Sequence, residues 1–218
     1  LTGRCLIIFA REPLPGRVKT RLAADVGDRV AAELYEAMLQ DVLEISRGLT
    51  GIESVVFWDC ATGSLPLLAD RFGCQSRTQA DGDLGQRMQA AFEEMFAAGF
   101  TSCCIIGSDA PDLPPAWIER AFEILESGQG DVVFGPSSDG GYYLLGLKQL
   151  QPRLFRDIAW SSPLVLRQSL AAAQAVGAAT QLLPIWHDID TLQDLDSFLM
   201  RTGTLSAATR TSIRASAL

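Results

Sequence analysis

The sequence predicts an α/β domain of three layers, α/β/α, built on a mostly parallel central sheet. Short runs rich in β-branched and aromatic residues alternate with stretches of helical periodicity along the chain. The Ser102–Gly107 run is apolar from Cys103 onward, the pattern of a strand covered on both faces. Two acidic clusters, Ser108-Asp109-Ala110-Pro111-Asp112 and His187-Asp188-Ile189-Asp190, each follow an apolar run. That puts carboxylates at the carboxyl ends of strands, where open α/β sheets bind ligands. Two such carboxylates suit a hard divalent cation, Mg²⁺ or Mn²⁺, which takes oxygen ligands and often carries substrate phosphates.

The elements follow in order. Cys5 to Ala10 reads as a first strand, and a Pro/Gly-rich basic loop runs from Arg11 to about Arg21. Val26, Val30, Leu34, Met38 and Val42 then form one stripe, predicting a single long helix. Glu53 to Asp59 is a second strand, Leu65 to Phe72 a short helix and Cys74 to Thr78 a third strand. A loop at Gln79–Asp83 leads to a helix from Leu84 to Ala98, with Met88, Ala91, Phe92 and Met95 inward. After the Ser102–Gly107 strand, Pro114 and Pro115 suit the first turn of a helix reaching about Ser127. Asp131 to Gly135 and Tyr142 to Leu147 are strands joined by turn residues Ser137–Gly141. Pro163 to Val176 is a helix, Ala179 to Ile185 a strand and Leu192 to Met200 a last helix. There is no internal repeat or linker, so residues 1–201 are expected to form one domain and 202–218 a weakly packed tail.

Composition narrows the function. The chain has 218 residues, 48% of them hydrophobic, enough for a full core without staples. A net charge of −8 argues against a broad nucleic-acid footprint, which needs clustered Lys and Arg. Five cysteines without a C-x-x-C pair read as buried thiols in a reducing compartment, hence a cytoplasmic protein. No apolar stretch reaches the about 20 residues that span a bilayer. Leu6–Ala10 is too short for a signal peptide; without an initiator Met the terminus is expected slightly upstream.

Basic residues concentrate in one loop: Arg11, Arg17, Lys19 and Arg21. The loop is not a P-loop, because Val18 stands where that motif places Gly before the Lys. It still joins a first strand to a helix, so its cations and backbone N–H groups could face a di- or triphosphate. Asp109, nearest its strand end, is the better candidate metal ligand; Asp112 reads as ligand or helix cap. Asp188 and Asp190 share a face if the strand extends that far. Asp190 reads as second ligand or as N-cap of the last helix. His187, the only histidine, reads as a ring packed beside Trp186. Asp139-Gly140-Gly141 reads as a tight turn or as a place where a ligand approaches the backbone closely. Trp160, Tyr142 and Tyr143 read as core or rim residues.

Taken together, the segments Ala10–Leu22, Gly82–Met88, Gly107–Leu113, Gly135–Gly146 and Asp188–Thr191, in that order, resemble the DUF2064 family. This is a bacterial group of GT-A-like glycosyltransferases and nucleotidyltransferases, similar to the molybdenum-cofactor and phospholactate guanylyltransferases. The resemblance covers residues 4 to about 200. It implies a nucleotide-diphospho-sugar transferase fold, GT-A-like and Rossmann-like, with a Mg²⁺ or Mn²⁺ ion. It implies nucleotide and phosphate contacts at Arg11, Gly16, Arg17, Lys19, Arg21, Gly82, Asp83 and Arg87. By the same resemblance the metal falls on Asp109 and Asp190 and the acceptor side on Asp139, Gly140 and Gly141. Lys19, Asp109 and Asp139 are then the candidate catalytic residues. Two departures stand out: Asp109-Ala110-Pro111-Asp112 replaces the Asp-x-Asp of many glycosyltransferases, and a Pro-rich loop replaces the Gly-rich opening of nucleotidyltransferases. The implied partners are a nucleotide or nucleotide-sugar donor and a small-molecule acceptor. The implied reaction is glycosyl transfer, often labelled arsenosugar-type in the family. Nucleotidyl transfer and a non-catalytic nucleotide-binding module are the alternatives.

Overall fold

The computed structural model describes residues 3–202. Its strands form one seven-stranded sheet in the order β3-β2-β1-β4-β6-β5-β7. They are β1 (Arg4–Arg11), β2 (Glu53–Asp59), β3 (Gln75–Thr78), β4 (Ser102–Ile106), β5 (Val132–Pro136), β6 (Tyr142–Leu147) and β7 (Thr180–Leu182). All neighbours run parallel except β6, which is antiparallel to both β4 and β5. The helices are α1 (Thr20–Val26), α2 (Asp28–Gly48), α3 (Leu65–Phe72), α4 (Leu84–Ala97), α5 (Pro115–Glu126), α6 (Val165–Ala175) and α7 (Leu192–Thr202). The expected three-layer, mostly parallel architecture is therefore present.

The two-residue period of the strands sorts the core into two layers. Leu6, Ile8 and Ala10 of β1 and Cys104 and Ile106 of β4 face α2, α3 and α5, meeting Leu39, Leu68 and Phe122. Cys5 and Ile7, with Cys103 and Ile105, face α4 and α6, meeting Phe92 and Ala173. Trp58, Phe92 and Phe122 are fully buried. A third cluster joins Leu22 of α1 and Leu34 and Met38 of α2 to Ile189, Leu195 and Phe198, so α7 lies against the first two helices. All five thiols are free, with Cys5, Cys103 and Cys104 buried and Cys60 and Cys74 half-buried. No helix among the described residues is long and apolar enough to cross a membrane.

Three expectations need correction. The long first helix is two, because Gly27 at φ +85° breaks it between Val26 and Asp28. The last strand stops at Leu182 rather than Ile185: Pro184 has no N–H, though Leu183 and Trp186 still donate to Phe134 and Pro136 of β5. Asp188 and Asp190 are consequently not on a strand. A 3-10 turn at Pro152–Phe155 between β6 and α6 was not expected; four residues carry no readable period. The tail expected at 202–218 lies outside the described residues, apart from Thr202, which closes α7.

Candidate functional site

β1 has β2 and β3 on one side and β4 on the other, so the chain order reverses beside it and a crevice opens between the ends of β1 and β4. Two loops enter there. In the loop after β1, Arg17 N–H bonds the Leu14 carbonyl at 3.0 Å across a turn in which Gly16 has φ +76°. Val18, the residue that rules out a P-loop, is buried against Ala32 and Tyr35 and pins the loop to α2. Lys19 follows in the left-handed region, φ +46°, and sends its side chain inward. In the second loop, Ser108 and Asp109 come directly after β4.

Lys19 is the centre of the site. Its side chain is 3% exposed, and its ammonium contacts Asp109 and, at 3.0 Å, Asp190. Burial alone would depress the pKa of such a group, but the two carboxylates more than reverse that and raise it, so Lys19 is charged. Asp190 reaches it because the chain folds back from the far end: Ile189 N–H donates to the Asp109 carbonyl at 3.0 Å, and the Ile189 side chain is fully buried. Asp190 is not the cap of α7. Thr191 Oγ1 accepts from Asp194 N–H at 3.2 Å while the Asp194 carboxylate accepts from Thr191 N–H at 2.8 Å. That leaves the Asp190 carboxylate for Lys19, with Arg21 3.8 Å away at the rim.

Near the Ser137–Gly141 turn, Asp188 accepts a short hydrogen bond from Ser137 Oγ. Burial pushes its carboxyl up to about 6, with Asp139, Asp109 and Asp190 adding to the rise and the Ser137 bond opposing it. Asp188 thus feels the charges of Asp109 and Asp190, the two aspartates that hold the Lys19 ammonium. Asp139 Oδ1 accepts from Gly141 N–H at 2.8 Å, closing the turn after β5. Gly140 has φ +92°, and a Cβ there would collide with the Pro163 backbone, so a neighbouring loop already explains that glycine. His187 is exposed, its ring 3.1 Å from Ser138 Oγ. Asp112 is not a helix cap: α5 has Pro114 at that position, and Asp112 accepts from Trp186 Nε1 at 3.2 Å.

On the other side of β1, a cavity of about 310 Å³ opens among the ends of β2 and β3 and the start of α4. Asp59, Cys60, Thr78, Gln79, Asp81 and Arg87 line it. Arg87 bridges Asp59 at 3.1 Å and the Gly82 carbonyl at 2.9 Å. Asp83 caps α4 in a reciprocal box with Gln86, which occupies its carboxylate. Arg11 leans toward Asp59, at 3.7 Å, rather than toward Lys19.

The four basic residues of the first loop are therefore not one cluster. Lys19 and Arg21 meet the carboxylates, Arg11 turns to the cavity and Arg17 is exposed on the turn. The structure brings Lys19, Asp109 and Asp190 together and sets Asp139 beside them through Asp188. Arg87 lines the separate cavity, and Gly82 holds it there through its carbonyl. Residues that sequence reading passed over are Tyr35, Ser108, Ser137, Asp59 and Gln79. Asp59 could have been found from its position at a strand end; the others act through contacts distant in sequence.

For a divalent ion, the hard oxygens of Asp109 and Asp190 fit, since they already converge on one cation, the Lys19 ammonium. Among the described residues, however, no three acidic, thiol or imidazole groups converge as a ready ligand set. Substrate oxygens would have to complete the shell.

Known proteins place this geometry in context. The model of DUF2064, "Uncharacterized protein conserved in bacteria", matches residues 47–162. That span includes Asp109 and Asp139, while Lys19 and Asp190 lie outside it. No curated protein matches the sequence. A solved structure from Desulfovibrio desulfuricans G20, named a "putative nucleotide-diphospho-sugar transferase", is 30% identical with a TM-score of 0.91, over 99% of this chain and 95% of that one. CMP:2-keto-3-deoxy-manno-octonic acid synthetase complexed with CTP is 15% identical with a TM-score of 0.60, over 92% and 100%. A Mycobacterium tuberculosis H37Rv protein in complex with manganese is 13% identical with a TM-score of 0.52, over 91% and 100%. The last two likenesses are likenesses of fold.

Proposed function

The chain belongs to the DUF2064 family, and from that membership together with its crevice we propose a divalent-metal-dependent transferase acting on a nucleotide-activated donor. The proposed reaction is glycosyl transfer from a nucleotide sugar to a hydroxyl-bearing small molecule. The observation that carries this reading is the Lys19–Asp109–Asp190 centre, with a cavity of nucleobase scale on one side and the Ser137–Gly141 turn on the other.

In this reading the nucleoside sits toward Asp59, Gln79 and Arg87, and its phosphates run along the first loop to Lys19 and Arg21. The acceptor lies over the Ser137–Gly141 turn. Its oxygen attacks the anomeric carbon, and the bond from that carbon to the diphosphate breaks with its electron pair on the phosphate oxygen. Lys19 and Arg21 meet that developing charge. The acceptor proton passes to Asp188, whose carboxyl is held near neutrality by burial and by neighbouring carboxylates. Asp109 and Asp190 would hold a Mg²⁺ or Mn²⁺, which when bound would supply charge neutralisation on the donor phosphates. The relative named as a nucleotide-diphospho-sugar transferase supports the choice of reaction.

A second reading, nucleotidyl transfer with release of pyrophosphate, is favoured by the CTP-bound synthetase of the same fold. One experiment separates the two. The melting temperature is followed with nucleotide sugars and nucleoside triphosphates, each with and without Mn²⁺, and the product is identified with the donor that binds. Release of a nucleoside diphosphate from a nucleotide sugar is expected. Pyrophosphate from a triphosphate establishes the second reading. Metal-dependent binding without turnover over a broad acceptor panel leaves the non-catalytic module.

A further inference from the structure

Lys19 occupies the place that the metal reading gives to the ion. Its ammonium touches both proposed ligands and is almost wholly enclosed, whereas the Asp109 and Asp190 side chains are 45% and 44% exposed on their outer faces. The chain adopts a left-handed backbone at Lys19, uncommon for a residue with a side chain, and this conformation leads directly into α1. Two carboxylates hold the ammonium, those of Asp109 and Asp190, and both act electrostatically on the buried Asp188 carboxyl. Arg21, the next cation, is 72% exposed and 3.8 Å from Asp190. Lys19 is thus the internal counter-ion of the cluster.

A divalent ion and this ammonium cannot share the pair. Mg²⁺ binds carboxylate oxygens at about 2.1 Å, so an ion on the oxygens that Lys19 contacts would sit against a like charge with no anion between. The ammonium can leave only if other oxygens receive it, because an unpaired buried charge is costly. The phosphates of the donor are such oxygens, and the flexible four-carbon stem of Lys19 lets the ammonium follow them.

We propose that Lys19 closes the Asp109–Asp190 pair to bare divalent metal, so that the site accepts metal only together with a polyphosphate whose oxygens take over the ammonium. This inference rests on the metal site of the proposed function and adds to it an order of binding. The substrate is the metal–nucleotide chelate, and metal is not resident between turnovers.

The test is Mn²⁺ binding, followed by equilibrium dialysis and by the electron paramagnetic resonance of the free ion, with no nucleotide present. Wild type is expected to bind Mn²⁺ weakly alone and about ten-fold or more tightly when inorganic pyrophosphate is added. Lys19→Met is expected to bind Mn²⁺ alone about ten-fold more tightly than wild type, and Asp109→Asn in the Lys19→Met background to abolish that gain. In EDTA the Lys19→Met protein should melt lower than wild type, because two carboxylates lose their counter-ion, and Mn²⁺ alone should restore it. Lys19→Gln gives the same comparison if the Met variant does not fold, and the wild-type measurements with and without pyrophosphate stand by themselves. Equal, measurable Mn²⁺ affinity in wild type and the Lys19 variants overturns the gate and leaves the metal site intact. No Mn²⁺ bound in any combination, pyrophosphate included, removes the metal site and this inference with it.

Discussion

The Tyr35 hydroxyl of α2 accepts the backbone N–H of Arg11 at 2.8 Å and lies 2.8 Å from Ser108 Oγ. One buried side chain therefore ties the end of β1 to the loop just after β4, the two strands whose following loops carry Lys19 and Asp109. The phenol is held protonated, its pKa pushed up to about 12 chiefly by burial and also by Asp109. It shares a hydrogen bond with Ser108 Oγ, in which either hydroxyl can donate. Tyr35→Phe removes the tie and strands the Arg11 N–H. A loss of about 1–3 kcal/mol is expected, and each kcal/mol lowers the melting temperature of a domain this size by about 2–4 °C. The role in positioning is read by kinetics: kcat should fall more than KM rises. A stability loss with unchanged kcat would leave Tyr35 a packing residue only.

How much of this was legible follows from the range of each contact. The alternation in β1 and β4 is local, so both strands and the position of Asp109 could be read directly. The burial of Lys19 could not, because a loop of Arg, Lys, Pro and Gly reads as solvated. It is enclosed by Asp190, 171 residues further along, which is held there by Ile189 and α7. Asp190 and Thr191 are both good helix caps, and only the Thr191–Asp194 pairing decides between them. Tyr35 sits on a helix whose apolar stripe explains it without its hydroxyl. Gly140 signalled a close backbone approach correctly, but the approaching group is Pro163 of the same chain.

Asp109→Asn takes away the charge that Lys19 contacts most closely while leaving Asp190 in place. With its carboxylate 45% exposed, the stability loss should be modest, about 1 kcal/mol. Activity should disappear, because the proposed function puts this group at the reacting centre and on the metal. Turnover at the wild-type rate in a folded Asp109→Asn protein would remove Asp109 from the mechanism.

Lys19→Ala should separate phosphate recognition from nucleoside recognition. A charge-assisted contact contributes about 1.5–3 kcal/mol, so binding of a nucleoside diphosphate or triphosphate should weaken about 10- to 100-fold. Binding of the bare nucleoside should barely change, since the cavity near Asp59 and Arg87 is separate. Isothermal titration with both ligands checks this; equal losses would mean that Lys19 organises the fold rather than the phosphates.

Arg87→Ala addresses the cavity. The guanidinium bridges Asp59 and the Gly82 carbonyl, so its loss opens the floor between β2 and α4 without reaching Lys19. KM for the donor should rise several-fold with kcat nearly constant, the mark of an interaction equal in ground and transition states. A fall in kcat alone would place the reacting bond nearer the cavity than proposed.

Gly85 lies on the first turn of α4, and a Cβ there would stand 2.6 Å from the Trp160 ring and 2.7 Å from the Phe155 carbonyl oxygen. The connection between β6 and α6 therefore rests on α4 at this glycine and on the Ser137–Gly141 turn at Gly140, spanning the cavity and the proposed acceptor side. Asp157 and Ser161, at φ +58° and +61°, hold it in a left-handed backbone that side-chain-bearing residues rarely adopt. Gly85→Ala should destabilise by about 1–3 kcal/mol, the usual cost of overpacking. Trp160→Ala should cost more by itself, since it empties a place in the core layer under α4. In the double variant the added methyl finds the space the indole left, so its cost should shrink, but not to zero, because the Phe155 carbonyl remains. A double-mutant cycle of denaturant unfolding reads that coupling. Strict additivity would mean that the connection yields at Phe155 and that Trp160 does not rest on Gly85 in solution.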